Sequence, residues 1–108
     1  MTYEKRSTFL TRLLAVQCYY AISLRNINKD YIDELILDFV NYHYSFSEVA
    51  IDQMHFTKLV KNSFDKLPTI DQKIQKYLTE DWTLQRLPKI TLGILRVGAY
   101  ELSIASKE

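Results

Sequence analysis

The sequence predicts an all-α protein, a compact helical bundle in a single domain. Only two glycines and two prolines occur among 108 residues, against roughly one residue in eight in an average protein, so few turn residues are available for hairpins and sheets. Apolar residues recur at helical spacing along most of the chain, which favours amphipathic helices. The length is sufficient for one domain and too short for two, and a hydrophobic content of 47% excludes disorder throughout.

Three helices are predicted in the first two thirds of the chain. The first covers residues 7–25, and its expected buried stripe consists of Phe9, Leu13, Val16, Tyr20 and Leu24, widened by Leu10, Leu14 and Ala21. The second is capped by Asp30 and extends to Tyr42, with a buried side made of Ile32, Leu35, Ile36 and Phe39. Ser47 is the expected cap of the third, which ends at Leu67 before Pro68 and buries Phe56, Leu59, Val60, Ser63 and Phe64.

The last third predicts a short helix, a turn and a long apolar helix. Thr69 and Gln72 have the spacing of a capping box for a helix that ends at Leu78. Thr83 is the expected cap of the turn that follows, and Pro88 precedes a helix from Lys89 to about Ile104. This final helix is apolar on most sides, as in helices that are enclosed by others. Its two glycines, Gly93 and Gly98, predict close approach of another backbone.

Such a helix needs more neighbours than four shorter elements supply. We therefore expect that residues 1–108 form a single domain that is incomplete on its C-terminal side, or that another element covers the final helix. If that helix lacks its cover, we expect the isolated chain to expose apolar surface, to exchange segments with a neighbour or to form a homodimer.

The residue types disfavour catalytic and metal chemistry. His43 and His55 are the only histidines and do not have the spacing of a ligand pair, and neither a glycine-rich phosphate loop nor a nucleophile elbow is present. A single cysteine, Cys18, excludes an internal disulfide and suits a reducing compartment. No apolar run is long enough to span a membrane. We expect a cytoplasmic binding protein that is not an enzyme and uses no cofactor or metal.

Charge is unevenly distributed although the net charge is only +1. Residues 1–30 carry five basic and two acidic groups, residues 31–60 one and five, and residues 61–108 eight and six. A helical wheel puts Lys5, Arg12 and Tyr19 on one polar face of the first helix, a combination that suits single-stranded RNA. The residues alone equally allow an ordinary solvated face with Tyr19 in the core.

Several blocks of residues have the order and spacing of a known family. They are the run from Thr11 to Tyr20, Ile70-Asp71 with Tyr77-Leu78, Trp82 with Arg86-Leu87-Pro88, and above all the block from Ile94 to Leu102 with its Ile-Leu-Arg and Tyr-Glu-Leu. Together they cover nearly all of residues 5–105 and resemble the NusB family of bacterial transcription antitermination factors. The resemblance implies an all-helical fold in which further helices follow the long central one.

The resemblance also implies a non-catalytic function in ribosomal RNA synthesis. NusB proteins pair with NusE, a small-subunit ribosomal protein, and the pair binds the single-stranded boxA element within the RNA polymerase antitermination complex. The residues that match RNA-contacting positions are Lys5, Arg6, Arg12, Gln17, Tyr20, Tyr77 and Arg96. Two points stay open, because the wheel favours Tyr19 where the family match favours Tyr20, and because Arg96 could instead be a buried structural arginine.

Two departures and one charge pattern refine this expectation. Many members carry consecutive arginines at the start, whereas this chain has Lys5-Arg6, which predicts weaker RNA binding by the chain alone. Thr91 stands where the family usually has an acidic residue. The acidic middle segment is expected to attract a basic ribosomal protein through Asp33, Glu34, Asp38 and Asp52.

Two other functions compete with this interpretation. A similar helical domain begins certain ribosomal RNA cytosine methyltransferases, and a reading frame that continues into an α/β cofactor-binding domain would favour that alternative. A helical protein-interaction module without RNA binding is the other. Replacing the N-terminal cations with glutamate discriminates, because RNA binding should then collapse while the fold survives.

Overall fold

The computed structural model describes residues 2–105 and confirms the all-α prediction, since this range contains helices and no strand. The five α-helices are α1 (Tyr3–Arg25), α2 (Ile32–Phe46), α3 (Gln53–Asp65), α4 (Leu67–Tyr77) and α5 (Lys89–Ala105). Single 3₁₀ turns at Lys29–Tyr31 and Leu84–Arg86 precede α2 and α5. No helix within this range combines the length and the apolarity needed to cross a membrane.

Helix α1 packs against α3 and α5 through a different face from the one predicted. Its buried residues are Thr11, Leu14, Ala15, Cys18, Tyr19 and Ile22. The predicted stripe is wrong, because four of its members lie at the surface, namely Phe9, Leu13, Tyr20 and Leu24. Thr11 can be buried because its hydroxyl donates to the Ser7 carbonyl at 2.7 Å and accepts from the Asp52 amide at 3.0 Å.

The predicted start of α2 is wrong by one turn. The side chain of Asn28, not that of Asp30, accepts a hydrogen bond, and its donor is the Asp30 amide at 2.9 Å. α2 then begins at Ile32 and continues past the predicted end to Phe46. The extra turn buries Val40 and His43 in addition to the predicted Ile32, Leu35 and Ile36.

The third helix begins later than predicted, and Ser47 does not cap it. Residues 47–52 form a connection, and Asp52 caps α3 by accepting from the His55 amide at 2.9 Å. Polar contacts hold this connection in place of a helical turn: His43 Nε2 pairs with the Val49 carbonyl at 2.7 Å, and the Tyr44 hydroxyl accepts from the Ile51 amide. Its outward-facing end reaches α1, where the Tyr3 hydroxyl accepts from the Ala50 amide.

Pro68 opens a helix and does not close one. α3 ends at Asp65, and Pro68 lies in the first turn of α4, where a missing N–H costs no hydrogen bond. Thr69 is therefore inside α4, and the predicted capping box is wrong. Thr83 precedes the 84–86 turn, but its side chain makes no capping hydrogen bond. α5 begins at Lys89 directly after Pro88, as predicted.

The core lies where α1, α3, α4 and α5 meet. The predicted inward face of α3 is confirmed, since Phe56, Leu59, Val60 and Ser63 are fully buried. Ser63 is satisfied there by a hydrogen bond with the Tyr19 hydroxyl of α1, which is the arrangement that allows a tyrosine in a core.

Helix α5 is enclosed on one side and open on the other within the described residues, so the prediction of full enclosure is wrong. Leu92, Val97 and Tyr100 are buried, whereas Ile94 is 56% and Leu102 is 72% exposed. The open side borders a groove of about 880 Å³ between α4 and α5. This α4–α5 groove is lined mainly by apolar residues, among them Ile74, Tyr77, Leu78, Ile94, Leu95 and Leu102.

The two glycines of α5 differ in their surroundings. A Cβ at Gly93 would lie 3.2 Å from the Val16 carbonyl oxygen, which confirms the predicted close approach, whereas a Cβ at Gly98 would meet nothing within 4 Å. We expect Gly98→Ala to raise the free energy of unfolding by up to about 1 kcal/mol through helix propensity. Gly93→Ala should lower it, because the α1 backbone must move. Urea titrations of both variants test this, and equal stabilisation at the two sites would contradict the described packing.

Candidate nucleic-acid interface

The candidate surface begins at the N-terminal end of α1. Thr2 caps the helix by accepting from the Lys5 amide at 3.2 Å, so Lys5 and Arg6 stand in its first two turns. Both side chains are exposed, and neither forms an ion pair with any residue between 2 and 105. These two cations are therefore available to an anionic ligand.

Arg12 is less available than expected. Its Nε donates to both carboxylate oxygens of Glu101 on α5, at 3.0 and 2.9 Å. The guanidinium is nevertheless 53% exposed, and an exposed ion pair of this kind contributes at most about 1 kcal/mol, so a phosphate can displace the carboxylate. With Lys5, Thr8 and Phe9, Arg12 borders a shallow depression of about 400 Å³.

The two adjacent tyrosines of α1 have opposite environments. Tyr19 is fully buried, and burial raises the pKa of its hydroxyl above the ordinary range. Tyr20 is 41% exposed. The helical wheel was wrong in giving Tyr19 to the basic face, because that wheel centred the buried face on exposed residues. Only Tyr20 can stack on a ligand from solution.

Arg6, Gln17 and Tyr20 share the exposed face of α1. At 100° per residue they lie within about 60° of one another, whereas Arg12 is about 80° from Tyr20, on the side that faces α5. Gln17 and Tyr20 also form one wall of a cleft of about 410 Å³ whose other wall is Phe39 and Tyr42 of α2. Sequence reasoning missed Tyr42, because no periodicity shows which residue of a second helix faces Tyr20.

The remaining two predicted RNA contacts lie apart from this face. Tyr77 is 83% exposed and lines the α4–α5 groove. Arg96 makes a two-pronged ion pair with Asp71, with Nε to Oδ1 at 2.9 Å and Nη2 to Oδ2 at 2.8 Å. Its Nη1 donates to Ser23 at 3.4 Å, and only 12% of the side chain is exposed. Arg96 therefore joins α5 to α4 and α1, and the RNA contact predicted for it does not fit this position.

The acidic middle segment is only partly free. Asp33 pairs with Lys61 at 3.0 Å, and Asp52 caps α3. Glu34 and Asp38 are exposed and make no ion pair with another described residue. They are the two carboxylates of α2 that remain available to a basic partner.

The titratable groups of the interior serve packing. Cys18 is buried, and burial raises the pKa of its thiol to about 12, which keeps the thiol neutral and unreactive near pH 7. His43 is held by the Val49 carbonyl and by aromatic contacts with Tyr44 and Phe46. Across residues 2–105, no three His, Cys, Asp or Glu side chains converge as metal ligands would.

Comparison with known proteins adds to this geometry. The sequence model of the NusB family matches residues 10–108. Proteins named "Transcription antitermination protein NusB" are similar to this chain: that of Rickettsia akari is 28% identical over 102 residues, covering 86% of this chain and 64% of the relative. That of Borreliella burgdorferi is 32% identical over 99 residues, covering 90% and 66%.

The NusB protein of Pseudothermotoga lettingae is 32% identical over 84 residues, which cover 78% of this chain and 56% of that relative. The chain thus spans less than two thirds of the length of these three relatives. No solved structure matches this sequence.

Proposed function

The chain belongs to the NusB family, and from that premise we propose that it is a non-catalytic transcription antitermination factor. In this proposal it binds boxA-type single-stranded RNA together with the ribosomal protein NusE, as part of the RNA polymerase antitermination complex during ribosomal RNA synthesis. The observation that carries the proposal is the exposed face of α1, where unpaired cations and an exposed tyrosine occur on one helix.

The cations supply the sequence-independent part of RNA binding. Lys5 and Arg6 neutralise phosphates and release their counterions, which favours association at low salt. The N-terminal end of α1 adds a partial positive charge beside them. Arg12 contributes when a phosphate replaces Glu101 as its partner. Few cations take part, so the chain alone binds RNA weakly.

The aromatic and amide groups supply the contact with bases. An unpaired base stacks on the exposed ring of Tyr20, and Gln17 offers both a donor and an acceptor to its edge. These two residues lie one turn apart on α1 and form one wall of the same cleft. Tyr77 contacts RNA only if the strand also reaches the α4–α5 groove, and Arg96 is left out because Asp71 and Ser23 engage it.

NusE completes the binding surface in this proposal. Glu34 and Asp38 of α2 are free within the described residues and attract a basic protein. Joint binding raises the affinity for RNA, since each partner holds the other at a high effective concentration.

The test is the affinity of the chain for boxA-type and scrambled RNA, with and without NusE, across a salt series. We expect boxA-type RNA to bind more tightly in the presence of NusE. The logarithm of the affinity should fall linearly with the logarithm of salt, by about 0.7 for each phosphate contact. Equal affinity for the scrambled RNA in the presence of NusE would refute the proposal.

A further inference from the structure

The cleft between α1 and α2 has an aromatic residue on each wall. This α1–α2 cleft is lined by Gln17, Tyr20, Ala21, Leu24, Arg25, Phe39 and Tyr42. Tyr20 is 41% exposed and Tyr42 is 62% exposed. The ring of Tyr42 is supported from behind by Phe46, in an edge contact with 5.1 Å between ring centroids. Both tyrosine rings are therefore accessible, and that of Tyr42 is held by a neighbour.

The polar groups of the cleft limit what it can bind. Arg25, at the end of α1, is exposed and makes no ion pair among residues 2–105. Gln17 contributes an amide, and no carboxylate lines the cleft. A groove for an apolar peptide segment lacks such groups, and a site for a basic protein needs carboxylates. Aromatic faces, an amide and a guanidinium together suit an unpaired nucleobase with its phosphate.

The size and position of the cleft agree with this ligand. Its volume of about 410 Å³ is at the small end of the range for ligand sites. Gln17 and Tyr20 belong both to the cleft and to the exposed face of α1. A strand whose phosphates contact Lys5 and Arg6 can therefore follow this face directly into the cleft.

We propose that Tyr42 is an RNA-contacting residue: it stacks on one nucleobase of the bound single strand opposite Tyr20, while Arg25 binds the adjoining phosphate. This inference rests on the proposed RNA-binding function and adds a second helix to the binding surface.

The test compares RNA affinities of single variants by fluorescence anisotropy. We expect Tyr42→Ala to weaken binding of single-stranded boxA-type RNA on the order of tenfold, because stacking on that ring is lost. Tyr42→Phe should keep most of the affinity, since the ring remains. Tyr31→Ala is the matched control: Tyr31 is similarly exposed at 56% and lies outside the cleft, so its loss should leave the affinity unchanged.

A second readout reports stacking itself. RNA that carries the fluorescent base 2-aminopurine should be quenched on binding to the wild-type chain, and less so on binding to Tyr42→Ala. Thermal melting of each variant checks that the fold is intact.

The outcomes separate this inference from the function on which it rests. If Tyr42→Ala binds RNA as tightly as the wild type while glutamate at Lys5 and Arg6 abolishes binding, the cleft assignment is wrong and the RNA-binding function stands. If Tyr42→Ala weakens only the binding of a basic protein, the cleft is a protein contact and the assignment is also wrong. If the wild-type chain binds no RNA even with its protein partner, both proposals fail.

Discussion

Replacing Lys5 and Arg6 together with glutamate is expected to weaken RNA binding roughly tenfold or more at low salt. Both side chains are exposed and lack ion-pair partners in the part of the chain described, so they are free to neutralise phosphates. Loss of two contacts should also reduce the salt dependence, by about 0.7 in slope for each. Fluorescence anisotropy of boxA-type RNA at several salt concentrations measures both effects.

The fold should survive this double substitution. Acidic residues in the first turn of a helix interact favourably with its partial positive charge, so the free energy of unfolding should not fall. The matched control is Lys58→Glu with Lys66→Glu, which changes the net charge equally at exposed and unpaired lysines outside α1. If the control loses as much RNA affinity as the α1 variant, the contacts are not specific to α1.

Asp71→Ala is expected to lower the free energy of unfolding by about 2–4 kcal/mol. The substitution leaves the guanidinium of Arg96, which is only 12% exposed, without its carboxylate partner. An uncompensated charge at a buried site is strongly destabilising, and the residual exposure reduces the effect below that of a fully buried pair. Loss of this pair also separates α5 from α4, since Arg96 and Asp71 connect them directly. Urea denaturation followed by circular dichroism measures the change.

Two further variants separate the burial effect from the loss of charge itself. Asp33→Ala breaks the exposed pair with Lys61, in which the aspartate is 74% exposed, and should cost less than about 1 kcal/mol. Combining Asp71→Ala with Arg96→Met removes the unpaired charge and should recover much of the lost stability. A double variant as unstable as Asp71→Ala alone would show that Arg96 acts through packing and not through its charge.

The number and order of the helices could be predicted from the sequence, but the buried face of α1 could not. Apolar residues occur on nearly every side of this helix, so periodicity alone does not define one face. The outcome is decided by long-range polar contacts: Thr11 is buried because it bonds to Asp52, and Tyr19 because it bonds to Ser63. Neither partner is visible from the sequence of α1.

The helix boundaries failed where a local signal had two meanings. Pro68 is compatible with the end of one helix and with the first turn of the next, and the structure has the second. Ser47 is a good cap by residue type, yet the chain continues to Asp52 because side chains of α1 and α2 hold the connection. These contacts join positions up to 47 residues apart.

The candidate interface was predictable in part for similar reasons. The exposure of Lys5, Arg6, Gln17 and Tyr20 agrees with the positions that the family resemblance indicated. Arg96 could not be resolved in advance, because its partner Asp71 is on another helix. Tyr42 could not be found at all, since it meets Gln17 and Tyr20 only through the packing of α2 beside α1.

The most direct measurement of the central claim, that the exposed face of α1 contacts RNA, is a titration of the isotope-labelled chain with boxA-type RNA followed by NMR. This method suits a weak complex, because it detects contacts residue by residue during exchange. The account predicts saturable shifts in the amides of the first two turns of α1 and around Gln17 and Tyr20. Saturable shifts confined to the α4–α5 groove around Tyr77, with α1 unaffected, would contradict it.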